Sequence, residues 1–141
     1  MIKEKLKAPN FELPSTDNTT FELSKHLGKN IILFFYPRDN TKGCTLEAND
    51  FSNLNNRFKK NNCIVVGISK DSLESHLKFH KKYKFKLDLL SDTEGKIIEK
   101  YGAWGMKKFL GKEYMGIIRT TVLINTKGKI HKIWSNVRVK D

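Results

Sequence analysis

Five consecutive apolar residues, Ile31 to Phe35, are followed at once by Tyr36-Pro37. A run of that length without polar alternation fits a strand covered on both faces, as at the centre of a parallel sheet. Proline cannot donate to a ladder, so the strand ends there. A polar loop, R-D-N-T-K-G, then delivers Cys44 to a segment with helical periodicity. A cysteine at a helix start lies among unpaired backbone N–H groups at the positive end of the dipole, where a thiolate is stabilised. The rest of the chain reads as scaffold for that sulfur.

Ala48, Phe51, Leu54 and Phe58 fall at helical spacing and mark a helix from Cys44 to about Lys60, broken by Asn61-Asn62. Cys63–Ile68 repeats the buried-strand signature. Ser69-Lys70-Asp71-Ser72 turns into a helix capped by Asp71 or Ser72, with Leu73, Leu77, His80 and Tyr83 or Lys84 on one line. Leu87–Leu90 is a short strand, and Ser91–Glu94 opens a short helix through Ile97, Ile98 and Tyr101 that Gly102 stops. Thr120–Ile124 and Lys129–Trp134 flank the turn Asn125–Gly128, a hairpin with Ile130 and Ile133 alternating. Upstream, residues 10–24 hold two short alternating segments around S-T-D-N-T, a further hairpin, and Ser24 is placed to cap a turn ending at Gly28. Residues 103–118 are aromatic and glycine-punctuated and resist assignment. Strands alternating with helices and closed by a hairpin give an α/β domain with a central mixed sheet, flanking helices and an N-terminal β-hairpin, which is the order of a thioredoxin-like fold.

At 141 residues the chain suits one domain, 1–141, with enough core to need no disulfide staples. No apolar run approaches membrane-spanning length, and the charged N-terminus has no apolar stretch behind it, so neither a membrane partner nor a secretory signal is expected. Two cysteines without such a signal fit free thiols in a reducing cytoplasm. The net charge of +12 invites a nucleic-acid reading. However, four Arg stand against 23 Lys, the lysines are scattered, and acids lie between them. Base readers and phosphate clamps favour the Arg fork, so the charge reads as a solvated surface with no specific nucleic-acid partner.

A dithiol exchanger would need C-x-x-C, and the residue three after Cys44 is Glu47. Pro37-x-x-x-Thr41-x-x-Cys44 instead matches the active-site motif of the peroxiredoxins. The stretches F-Y-P-R-D-N-T-K-G-C-T-L-E-A, V-G-I-S-K-D-S, L-L-S-D, Y-G-A-W-G and Y-M-G-I-I-R-T-T-V-L-I resemble the peroxiredoxin Q, or bacterioferritin comigratory protein, subfamily over nearly the whole chain. The resemblance implies a thiol-dependent peroxidase acting on hydrogen peroxide and organic hydroperoxides without a cofactor. Cys44 would be the peroxidatic cysteine, and Arg119, in I-I-R-T-T, would match the family's arginine beside it. Thr41, Arg119 and the Cys44 N–H would hold the peroxide, and Pro37 would cover the pocket. The physical chemistry points the same way, since a helix N-terminus and a guanidinium lower a thiol from about 8.5 into roughly 3.5–7.5. Thioredoxin, glutaredoxin or a small thiol would be the reductant, and the resemblance leans toward a monomer. It also implies a final helix beyond V-R-V-K-D, where this sequence stops at Asp141.

The resolving cysteine of many such proteins stands five residues after the peroxidatic one, where this chain has Asn49. Others carry it in the next helix, where Leu73, Leu77 and His80 offer no sulfur. Cys63 would lie about 24 Å from Cys44 at ~1.5 Å per helical residue. A disulfide needs Cα atoms within roughly 4.4–6.8 Å, so Cys63 reads as a buried hydrophobe and the cycle as a one-cysteine one.

Other residues have plainer readings. His76 and His80 share a helix at a metal-binding spacing, but no third ligand is near in sequence, and His26 and His131 stand alone. Trp104 and Phe109 read as packing residues under the unassigned stretch rather than as a pocket mouth. Glu47 would oppose a thiolate if it faced Cys44 and receives no catalytic role. The competing function is a thioredoxin-fold binding or chaperone module with an incidental thiol.

Overall fold

A computed structural model describes residues 2–136. Residues 137–141, and with them the expectation about the chain's end, lie outside the described residues. The apolar run becomes β3 (Asn30–Phe35), central in a five-stranded sheet. It runs parallel to β4 (Cys63–Ser69) and antiparallel to β8 (Thr120–Ile124). β5 (Asp88–Ser91) lies beyond β4 and β9 (Ile130–Ser135) beyond β8, giving the order β5-β4-β3-β8-β9. β1 (Glu12–Pro14) and β2 (Thr20–Glu22) form the N-terminal hairpin.

Both faces of β3 are covered, as its composition demands. Ile31, Leu33 and Phe35 pack with Phe11, Leu13, Phe21 and α3 (Lys96–Lys100), and Phe34 packs with α1 (Lys42–Lys60) and α2 (Leu73–Tyr83). Gly67 of β4 is required by this packing, because a Cβ there would sit 2.6 Å from Phe34 Cζ.

Several expectations are corrected. α1 begins at Lys42, so Cys44 lies inside its first turn. Leu54 is exposed, and the inner face of α1 instead uses Cys44, Glu47, Ala48, Ser52 and Asn55. Ser52 Oγ accepts from Lys86 N–H and Asn55 Nδ2 donates to Lys86 O, so polar groups dock this helix on the loop before β5. On α2 the cap is Ser72, but Leu77 is exposed and the buried face is His76 and Phe79. Ser24 caps nothing; it sits inside a 3₁₀ turn, Leu23–His26, and its N–H is bound by Asn10 Oδ1.

The unassigned stretch is a hairpin, β6 (Trp104–Phe109) and β7 (Lys112–Ile117). Its two-residue turn, Leu110-Gly111, has φ of +51° and +79°, the both-positive pattern of a type I′ turn. Phe109 is exposed at its tip and does not pack, whereas Trp104 rests against the core with Lys70 Nζ 4.8 Å above its ring. Ile130 and Ile133 both turn inward although three residues apart, because a bulge at His131 resets the β8–β9 register.

Candidate active site

The loop that leaves the C-terminal end of β3, residues 36–41, leads into α1. Thr41 stands at the N-cap position in extended conformation, and the first helical bond runs from Thr45 N–H to Thr41 O. Cys44 is therefore placed within the first turn, where the positive end of the helix dipole lies. Its side chain is only 1% exposed and packs with Phe34, Tyr36 and Ala48.

Arg119 arrives from the link between β7 and β8, beside the end of β3. Thr120, the next residue, pairs with Phe35, so the sheet register alone carries Arg119 to the mouth of this loop. Its Nη2 lies 3.0 Å from Cys44 Sγ and its Nη1 donates to Glu47 Oε1 at 2.8 Å. One guanidinium thus bridges a sulfur and a carboxylate that are three residues apart on α1, hence on one face. The Arg119 side chain is 17% exposed and that of Glu47 7%. Burial pushes the Glu47 carboxyl above its ordinary range, and the Arg119 charge and hydrogen bond only partly offset this.

Glu47 is the site residue that sequence reasoning passed over. The available signal was its spacing of three from Cys44, and its partner is 72 positions away. Lys107 was also missed. It enters from β6, its Nζ donates to Ile117 O at 2.9 Å, and it lines a groove of about 520 Å³ with Met106, Lys108, Ile118, Arg119 and Ser135. Burial lowers the Lys107 ammonium first, the Arg119 charge acts in the same direction, and Cys44 opposes them.

Of the expected residues, Cys44 and Arg119 are in contact. Thr41 is exposed and its hydroxyl donates to Arg38 O at 3.0 Å, so toward a third group its oxygen can act only as an acceptor. Pro37 is half-buried in the same loop. Cys63 pairs with Asn30 at the opposite end of β3 and β4, its sulfur donating to Ile64 O at 3.8 Å, and burial raises its thiol. His76 and His80 do not converge: their Nε2 atoms lie 2.9 Å from Leu90 O and Leu87 O respectively. His26 stacks on Phe21, and His131 is exposed. No helix among the described residues is long and apolar enough to cross a membrane.

Residues 5–133 match the AhpC/TSA family profile. The chain is 45% identical to peroxiredoxin Bcp of Bacillus subtilis over 135 residues, 96% of this chain and 86% of the relative. Among solved structures it is similar to a cysteine-to-serine mutant of Xylella fastidiosa PrxQ, with TM-score 0.92, 29% identity, and coverage of 99% of this chain and 89% of that one. It is also similar to Xanthomonas campestris bacterioferritin comigratory protein, whose structure was described in relation to alkyl peroxide reduction, with TM-score 0.89, 31% identity, and 97% and 90% coverage.

Proposed function

The chain belongs to the AhpC/TSA family and is a thiol-dependent peroxidase of thioredoxin fold; from that premise we propose that Cys44 is its peroxidatic nucleophile and that it works by a one-cysteine cycle. The observation that carries this reading is the guanidinium of Arg119, 3.0 Å from a sulfur in the first turn of α1. A cation and a helix N-terminus both favour the thiolate over the thiol.

The Cys44 thiolate attacks the terminal oxygen of a peroxide R–O–O–H in line with the O–O bond. A sulfur–oxygen bond forms, the O–O bond breaks, and RO⁻ leaves and takes up a proton as alcohol or water. Cys44 is oxidised to the sulfenic acid and the peroxide is reduced. Arg119 stabilises the charge developing on the leaving oxygen, the kind of preorganised donor that contributes most in a water-poor site. Thr41, its own proton committed to Arg38 O, accepts from the hydroperoxide O–H and orients it. Pro37 shields the loop from water. Glu47 holds the guanidinium in place.

Two exchanges restore the thiol. An external thiol attacks the sulfenic sulfur with release of water to give a mixed disulfide, and a second thiol attacks that disulfide and leaves oxidised reductant. Thioredoxin, glutaredoxin or a small thiol serves as reductant. Cys63 supports this assignment by its position, because α1 lies between the two sulfurs and spans roughly 24 Å from Cys44 to Lys60 at ~1.5 Å per residue. The working form is a monomeric single domain in the cytoplasm, acting on hydrogen peroxide and organic hydroperoxides, the latter in keeping with the X. campestris relative.

The test is stopped-flow oxidation by hydrogen peroxide, with the sulfenic acid trapped by dimedone and located by mass spectrometry. A fast reaction with the adduct on Cys44 alone is expected. An adduct on Cys63, or a Cys63–Cys44 disulfide within one chain, would sink the one-cysteine cycle.

A further inference from the structure

Two residues before Thr41, the buried Asp39 carboxylate joins the active-site loop to α2. Its Oδ2 lies 2.7 Å from His76 Nδ1 and accepts from Ser75 Oγ at 2.7 Å, while Oδ1 accepts from Tyr36 Oη at 2.6 Å. The Asp39 N–H donates to Asp71 Oδ2 at 2.8 Å, and Ser69 Oγ donates to that same oxygen. The neighbouring Asn40 Oδ1 accepts from Lys82 Nζ and Tyr83 Oη, both on α2. The loop that presents Thr41 is therefore fastened to α2 at two consecutive residues.

The protons of His76 follow from its partners. Nε2 faces the Leu90 carbonyl at 2.9 Å, and a carbonyl can only accept, so Nε2 carries a proton. Burial pushes Asp39 up, but His76, Tyr36 and Ser75 outweigh it and hold the carboxyl below its ordinary range. His76 is fully buried, its Nδ1 against the Asp39 carboxylate and the Tyr36 hydroxyl and its Nε2 against the Leu90 carbonyl, so both ring nitrogens are engaged. The Asp39, Asp71 and His76 ligand atoms lie within 4.8 Å of one another, but His76 Nδ1 is already taken up by Asp39. Arg38, Asp71, Glu74, Lys78 and Lys82 also carry charge near the pair and line the groove beside it.

We propose that the buried His76, through its hydrogen bond to Asp39, is a positioning residue for peroxide reduction that fixes the loop carrying Thr41 relative to Cys44. The proposal rests on the assignment of Cys44 as the peroxidatic cysteine. It requires the pair to be more than a structural buttress. A buttress affects every reaction of Cys44 alike, whereas a positioning pair affects only those that use Thr41.

The test has two parts. In the folded wild-type protein, the ¹⁵N shifts of His76 should show both ring nitrogens held in hydrogen bonds, and a free ring nitrogen would overturn the proposal. The second part compares His76→Gln and Asp39→Asn with wild type in two reactions of Cys44, hydrogen peroxide by stopped flow and iodoacetamide alkylation. Alkylation needs the sulfur but not the Thr41 oxygen. Peroxide rate constants should fall about 10- to 100-fold, the order expected for misplacing a positioned group by about 1 Å. Alkylation rates should hold within about twofold of wild type in variants with native circular dichroism. Peroxide rates that stay at the wild-type level, or two rates that change together, would overturn the proposal. If a variant fails to fold, the wild-type ¹⁵N shifts still decide. Should wild-type Cys44 itself react no faster than a free thiol, the fault lies with the site assignment and not with His76.

Discussion

The two cysteines occupy opposite ends of one helix and of one pair of parallel strands. Both are buried, at 1% exposure for Cys44 and 7% for Cys63, so burial does not distinguish them. What differs is the company each keeps. Cys44 lies in the first turn of α1 with a guanidinium 3.0 Å away, and Cys63 opens β4 against a carbonyl at 3.8 Å with burial raising its thiol. The comparison teaches what separates a candidate nucleophile from a small hydrophobe: a neighbouring cation and a helix start on one side, an apolar setting on the other.

The sharpest way to break the comparison is to exchange the sulfurs for oxygen. Cys44→Ser is expected to abolish peroxide turnover, while Cys63→Ser should remain within about twofold of wild type in a coupled reductant assay. Equal losses would show that the two ends act together. Next in size, Arg119→Met should slow oxidation of Cys44 by about 10²–10³-fold, the range seen when one charge-stabilising donor is removed. It should also lower stability, because Glu47 is left as a buried carboxylate without its partner. Adding Glu47→Leu to Arg119→Met should restore the denaturation midpoint but not the rate, separating the cation's structural role from its chemical one.

Smaller effects probe the quiet end. A thiol-specific reagent should label Cys44 in the native protein and reach Cys63 only on unfolding, as mass spectrometry of the labelled peptides would show. The pH dependence has a definite sign. Burial raises the Cys63 thiol above its ordinary value, so the folded state holds its proton longer than the unfolded chain does. That contribution is complete below the unfolded value and is lost as pH rises through the alkaline range. Cys63→Val should therefore flatten the decline of stability above about pH 9, by an amount at the edge of detection in urea melts.

Much of this site could be read from sequence because its information is local. Ile31–Phe35, Pro37, Thr41 and Cys44 lie within fourteen residues, and the strand–loop–helix they specify depends on few distant contacts. The position of Arg119 at the end of the sheet is legible because a strand follows it directly. The Glu47–Arg119 pair was not legible, because neither residue signals the other across 72 positions. α2 misled for a different reason. Its buried face is the polar His76 beside Phe79, while Leu77 points outward, so the apolar periodicity indicated the wrong side. The β6–β7 hairpin lacked an alternation to find, since Met106, Phe109, Leu110, Tyr114 and Met115 are all exposed and only Ile117 is deeply buried.

Cys44 is nearly enclosed, so on the proposed cycle the thiol of a folded reductant cannot approach a sulfur with 1% of its residue surface open. The two halves of the cycle therefore ask opposite things of the first turn of α1, which Thr41 leaves without a side-chain cap. Stiffening that turn, with a compatible osmolyte or a better cap, should spare oxidation and slow regeneration by a protein thiol, shifting which half limits turnover.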